Sequence, residues 1–218
     1  MATPAALDPA AAPEPGRRER RRLEVHGRLL EAAEALFDAH GVSATTVGEI
    51  CARADVAEKT FFNHFGSKRD LLRELAQRAL GELLGHIESA RKAGGSTRER
   101  LEAFFARIAD DLERAGPMHR ELVTEIIHVA HEAQLESEQA RALHAGFDAI
   151  VTEGLAAGEI APGHDAATCT EMLLGAFYVL IFHWAHLEGH PVRRRARAAA
   201  RFLADAFAVS PGGATPGP

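Results

Sequence analysis

Between residues 46 and 68 the chain twice stops and restarts a helix. Thr46-x-x-Glu49, Asp55-x-x-Glu58 and Ser67-x-x-Asp70 each set a side-chain acceptor three residues ahead of a carboxylate. That pattern closes the first turn of a helix. The spacing leaves two short helices, about 47–54 and 56–64, before a longer one starting at 68. Helices of two turns cannot bury a core alone. Joined by a tight turn and packed on a preceding helix, they form a helix-turn-helix.

The inward positions of such a unit are present. Val47, Ile50 and Cys51 are apolar on the first short helix, and Cys51 is small where the helices cross. Asp55 can take unusual dihedrals in the turn and cap the next helix. Ala57, Phe61 and Phe65 fall on one face and are expected to pack inward. Lys59, Thr60, Asn63 and His64 lie away from that face, with Phe62 at its border. An exposed aromatic there suits a sugar-phosphate backbone or a thymine methyl.

The rest of the chain reads as helix. Before the unit, Leu29, Leu30, Ala33, Leu36 and Phe37 share a helical face, ended by His40-Gly41 with Gly41 as a left-handed cap. After it, Ser96-x-x-Glu99 is a fourth capping box. Expected helices run over 68–93, 97–115, 117–132, 136–157, 166–189 and 192–208, broken at Gly94-Gly95, Gly116-Pro117, Pro162-Gly163 and Gly189-His190-Pro191. No convincing strand appears, so the fold class is all-α. Residues 1–16 and 210–218, rich in Pro, Ala and Gly, read as disordered tails. Residues 17–66 form the helix-turn-helix part, and 67–209 a larger helical part.

The net charge of −6 argues against binding nucleic acid by bulk charge, yet residues 17–28 hold six arginines against Glu19 and Glu24. Cys51 and Cys169 are the only two cysteines, far apart, with no disulfide or zinc pattern. A reducing, cytoplasmic compartment fits. The apolar stretch Met172 to Leu187 is shorter than a membrane span needs, so no membrane partner is expected.

The segment "GVSATTVGEICARADVAEKTFFNHFGSKRDLL", residues 41 to 72, resembles the DNA-binding signature of the TetR family of transcriptional repressors. Gly41, Thr45, Thr46, Val47, Ile50, Ala54, Val56, Thr60, His64, Phe65, Ser67, Lys68 and Leu71 carry the match. Departures are Cys51 for Ala, Asp55 for the turn Gly, Ala57 for a capping Ser, Lys59 for Gly, and Phe62 for Tyr. The last loses a hydroxyl that in the family reaches a phosphate. The resemblance implies that Thr46 and Lys68, each at a helix start, bind phosphates. It places Lys59, Thr60, Phe62, Asn63 and His64 at base edges or nearby backbone. Arg17, Arg18, Arg20, Arg21 and Arg22 would form an arm along the duplex or in its minor groove.

A two-turn reading helix covers few base pairs, so two copies spaced by about 34–36 Å on the DNA are expected. "EMLLGAFYVLIFHWAHL", residues 171 to 187, is apolar nearly all round and must be covered on two sides. The next helix offers Ala199, Phe202, Leu203, Ala206 and Phe207. The last two helices of each chain are therefore expected to pair in a homodimer, as in the family. Candidate effector-pocket residues are Phe104, Phe105, Ile108, Glu125, His128, Phe147, Tyr178 and Phe182, with Ile127 beside them; plain core packing is the alternative for each. His128/His131 and His183/His186 have the i, i+3 spacing of a metal pair but no supporting carboxylates, and no metal or cofactor is expected.

The chain therefore reads as a non-enzymatic, ligand-responsive regulator. It would bind a palindromic double-stranded DNA operator as a repressor and be released by a small, largely apolar effector. The alternatives are a histidine-metal helical enzyme and a ligand-independent DNA-binding protein. No GxSxG, P-loop, GxGxxG or HExxH motif occurs.

Overall fold

The computed structural model describes residues 16–116, 118–124 and 138–209. Helix α1 spans Arg17–His40, α2 Val47–Ala54, α3 Glu58–His64, α4 Lys68–Lys92 and α5 Thr97–Arg114. A helical stretch over 118–124, α6, follows. Then come α7 (Glu138–Ala156), α8 (Ala166–His186) and α9 (Val192–Phe207). Among the described residues the only β pairing is one antiparallel bridge, Ile160 to Ala208. The all-α reading is correct.

The helix starts follow local chemistry. The capping boxes at Thr46/Glu49 and Ser96/Glu99 both form. The Ser67 hydroxyl accepts the Asp70 N–H at 3.1 Å. The Asp55/Glu58 box does not form. Asp55 instead takes the left-handed conformation (φ 53°, ψ 54°) at the end of α2, and Ala57 precedes α3 with no side-chain cap. One residue cannot hold the turn's positive φ and the extended backbone of an N-cap at once. Ala57 is consequently exposed rather than packed inward. Gly41 has a positive φ of 83°, but its ψ of 158° lies in the mirror-extended region that only glycine enters freely, not in the left-handed helical one.

The buried residues form two clusters. The first gathers Leu29, Leu30 and Phe37 of α1, Ile50, Cys51 and Ala54 of α2, Phe61 and Phe65, the α4 residues Leu71, Leu72 and Leu75, and Met118 and Leu122 of α6. The second lies among α4, α5, α7, α8 and α9. At its centre Phe104 meets Phe105, Phe147 and Phe177 at ring separations of 5.1–5.9 Å, in the edge-on and tilted arrangements aromatic rings prefer. Helix α4 contributes to both clusters, Leu71 to Ala76 to the first and Ile87 and Ala90 to the second.

Helix α8 is two-sided. Leu173, Phe177, Leu180 and Trp184 are buried, whereas Met172, Tyr178, Val179 and Phe182 are exposed. Its 21 residues make it, by length and composition, long and apolar enough to cross a membrane, although the apolar stretch alone reads as too short. On α9 the expected single face is divided. Leu203 and Phe207 are buried, whereas Phe202 is 72% exposed and Ala206 is exposed.

Candidate DNA interface and ligand cavity

On α3 the buried Phe61 and Phe65 anchor the helix, and Phe62 meets Phe61 edge-on at 5.3 Å while remaining 53% exposed. Lys59 and Asn63 are exposed beside Phe62, and Thr60 is half-buried. None of these four is buried, unlike Phe61 and Phe65. His64 turns toward α1. Its ring lies 5.5 Å from His26, and its Nδ1 is buried with no partner among the described residues. Burial, then the neighbouring His26 and Arg22, push its pKa below the ordinary value. His26 in turn stacks on Phe65 at 4.6 Å and meets Glu74 of α4 at 2.7 Å. His64 thus belongs to the packing between α1 and α3, its ring lying beside those of His26 and the buried Phe65.

The two expected phosphate ligands at helix starts are already engaged. The Thr46 N–H and hydroxyl both donate to Glu49 Oε2, at 2.7 and 2.8 Å. Those bonds, the backbone one first, hold the Glu49 carboxyl below its usual range. Lys68 Nζ donates to the carbonyls of Val42 and Thr45, at 2.7 Å each. It braces the loop entering α2, and one of its three N–H bonds remains. The arginine segment is not an extended arm. Arg17 to Arg22 are the exposed first turns of α1, with the Arg20 N–H bonded to the Gly16 carbonyl at 2.9 Å. Arginine is a good helix former, so α1 simply extends through it.

Behind this head lies a mostly apolar cavity of about 270 Å³ between α4, α5, α6, α7 and α8. Leu80 and Leu83 of α4, Leu122 of α6 and Trp184 of α8 form much of its wall. Its polar lining is His86, whose Nε2 meets Asp111 Oδ2 at 3.0 Å, with Arg73, Gln77, Glu82, His119 and Tyr178. Burial pushes the Tyr178 hydroxyl up from its ordinary pKa, so it stays protonated.

Of the expected liners, Ile108 and Tyr178 border this cavity. Phe104, Phe105 and Phe147 do not: they are at most 1% exposed and fill the second core. Large rings close gaps best, so they are poor candidates for leaving one open. Phe182 faces outward and stacks on His186 at 4.3 Å. Glu125, Ile127, His128 and His131 lie outside the described residues. His186 Nδ1 is 2.9 Å from the Phe182 carbonyl, and among the described residues no three metal-ligating side chains gather.

Residues 29–75 match the family profile of the bacterial regulatory proteins, tetR family. The chain is 30% identical to the HTH-type transcriptional regulator BetI of Rhizobium meliloti over 66% of its own length and 69% of BetI's. The chain belongs to the TetR family. It is also 25% identical to the fatty acid metabolism regulator protein of Bacillus subtilis, over 72% of this chain and 81% of that one. Its fold resembles the crystal structure of Thermus thermophilus FadR, a TetR-family repressor in complex with lauroyl-CoA. The TM-score is 0.66 at 22% identity, over 88% of this chain and all of that one. The chain is therefore a DNA-binding transcriptional regulator.

In this TetR-family chain the sequence reading overlooked the α4 and α6 walls of the cavity. A signal existed on α4: from Ala76, which also packs the head, Leu80 and Leu83 continue the apolar face at helical spacing. It also overlooked Glu121, whose carboxylate accepts the Val42 N–H at 2.9 Å across 79 residues of chain. No local pattern encodes a contact of that range.

Proposed function

We propose that this regulator is a homodimeric repressor released from a palindromic operator when an apolar effector enters the α4–α8 cavity. One observation carries the reading. Helix α4 packs into the DNA-binding head through Leu71, Leu72 and Leu75, and within the next turns lines the cavity through Ala76, Leu80 and Leu83. An occupant that displaces α4 must therefore move the head. Lys59, Thr60, Phe62 and Asn63 form the DNA-reading ridge. The duplex backbone lies along Lys68, Thr46 and the arginine turns of α1.

The exposed stripe Met172, Val179 and Phe182 on α8, with Phe202 on α9, is the subunit interface. Exposed apolar side chains that share one face of a helix, as Met172, Val179 and Phe182 do, mark an interaction surface. α8 also packs on α7 and α9, which supports a protein partner over a membrane. Lauroyl-CoA in the related repressor is a precedent for an effector with an apolar chain.

The test is operator binding, with an operator selected from random duplex DNA, titrated with straight-chain alcohols. Dodecanol should weaken binding in wild type, and Leu83→Trp, which fills the cavity, should abolish that response while keeping the operator. Effector release requires preferential binding to the DNA-incompetent spacing. Operator affinity indifferent to every chain length would refute ligand control.

A further inference from the structure

We infer that the effector is an uncharged apolar molecule carrying a hydroxyl group, which donates to His86 inside the cavity, and that acidic heads are refused there. This inference rests on the ligand-responsive reading above and specifies its ligand.

The charges of the wall decide against an anion. Among the described residues Arg73 is the only lysine or arginine lining the cavity, and it is paired with Asp70 at 2.8 Å. No lysine or arginine occurs at residues 1–15, 117, 125–137 or 210–218, so all 25 of the chain lie among the described residues. The wall carries two carboxylates, Glu82 and Asp111. Glu82 has no ion-pair or hydrogen-bond partner among the described residues. A carboxylate or phosphate entering this space loses its water, meets only a guanidinium that is already paired, and faces negative charge of its own sign. Lauroyl-CoA in the related repressor is thus a precedent for the chain of the effector and not for its head.

His86 of α4 supplies the handle. Its Nε2 lies 3.0 Å from Asp111 Oδ2 of α5, and a carboxylate has no proton to give, so the ring turns its N–H to Asp111. Asp111 also accepts from Arg107 at 3.1 Å and from Arg114 at 2.5 Å, so its charge is met without a cationic imidazole. The neutral ring then keeps Nδ1 as an acceptor, with no protein donor among the described residues. Asp111 is in this sense a positioning residue that fixes the tautomer. An alcohol or phenol donates to Nδ1, whereas an ether, an ester or a thioester has no proton for it. Tyr178 stands in the same wall with its hydroxyl unpartnered among the described residues, a second neutral group for the ligand's oxygen. Leu80, Leu83, Leu122 and Ile181 cover the apolar remainder. Neutral donors and acceptors set in an apolar wall select an uncharged polar group.

Trp184 lines the cavity and is the only tryptophan, so its fluorescence reports occupancy. The full chain and a His86→Leu variant are titrated with monomeric dodecanol, its isomer methyl undecyl ether, dodecanoate and lauroyl-CoA, with operator affinity read in parallel. Wild type should bind dodecanol about fivefold tighter than the ether, the worth of one neutral hydrogen bond, and at least about tenfold tighter than dodecanoate or lauroyl-CoA. His86→Leu should bind the ether as before and lose the preference for the alcohol. The wild-type ranking decides by itself should the variant fail to fold. Dodecanoate or lauroyl-CoA binding as tightly as dodecanol, equal affinity for alcohol and ether in wild type, or an alcohol preference that survives His86→Leu overturns the inference. If a bound probe still releases operator in that case, ligand control survives alone. If no probe binds, both fall.

Discussion

Glu121 on α6 and Lys68 on α4 hold opposite sides of one peptide unit pair: Glu121 accepts the Val42 N–H at 2.9 Å, and Lys68 donates to the Val42 carbonyl at 2.7 Å. Val42 sits in the loop that delivers α2. Both helices that grip it also line the cavity. A ligand that shifts α4 against α6 therefore pulls on this residue from two directions. Glu121→Ala strands a buried N–H and should cost about 1–3 kcal/mol of stability. It should also blunt effector-driven operator release, whereas Glu121→Gln keeps an acceptor and should do neither strongly. Denaturant titration and operator anisotropy on both variants check this.

Lys68 should show two losses at once. Lys68→Met removes two charge-assisted bonds to carbonyls, each worth about 1.5–3 kcal/mol. It should also lower operator affinity and flatten its salt dependence by about one ion, through the remaining N–H. Melting curves and affinities across a salt series separate the two. A lower melting temperature with an unchanged salt slope would assign Lys68 to the loop alone.

The head should weaken in acid through His64. Its folded pKa lies below the ordinary 6.5, so near that pH the folded state holds fewer protons than the unfolded one. The stability tied to the neutral ring is complete above 6.5 and is lost as pH falls through the depressed value. His64→Phe keeps a ring against His26 and removes the titration. Unfolding free energies of this variant should depend less on pH below 6.5 than those of wild type.

The exposed stripe on α8 and α9 predicts the oligomer. Val179→Glu combined with Phe202→Glu places charge on two exposed apolar positions and should convert a dimer to monomers, seen by light scattering. Melting temperature should fall as well, since an obligate dimer interface contributes to folding. A wild-type protein that is monomeric at micromolar concentration sinks this assignment.

A β-carbon at Gly154 would collide with Thr97 Oγ1 and approach Ile160 Cδ1 within 2.9 Å. Here Glu159 also takes the Thr97 hydroxyl at 2.7 Å, tying the start of α5 to the loop after α7. Gly154→Ala should therefore destabilise by about 1–3 kcal/mol, the usual cost of overpacking, in a chemical unfolding curve.

What residues 46–68 determined by themselves was the helix-turn-helix. Caps at Thr46 and Ser67, the turn at Asp55 and the Phe61/Phe65 face are local matters of hydrogen bonding and helical period, and these act over a few residues. The tertiary structure decided which side chains remain available. It turned His64 toward α1, spent the Lys68 ammonium on two carbonyls and buried Phe104 and Phe147 where a pocket was expected. It also opened the cavity along α4 and α6. These outcomes depend on how helices distant in the chain fill space against one another, and no periodicity within a single helix records its neighbour.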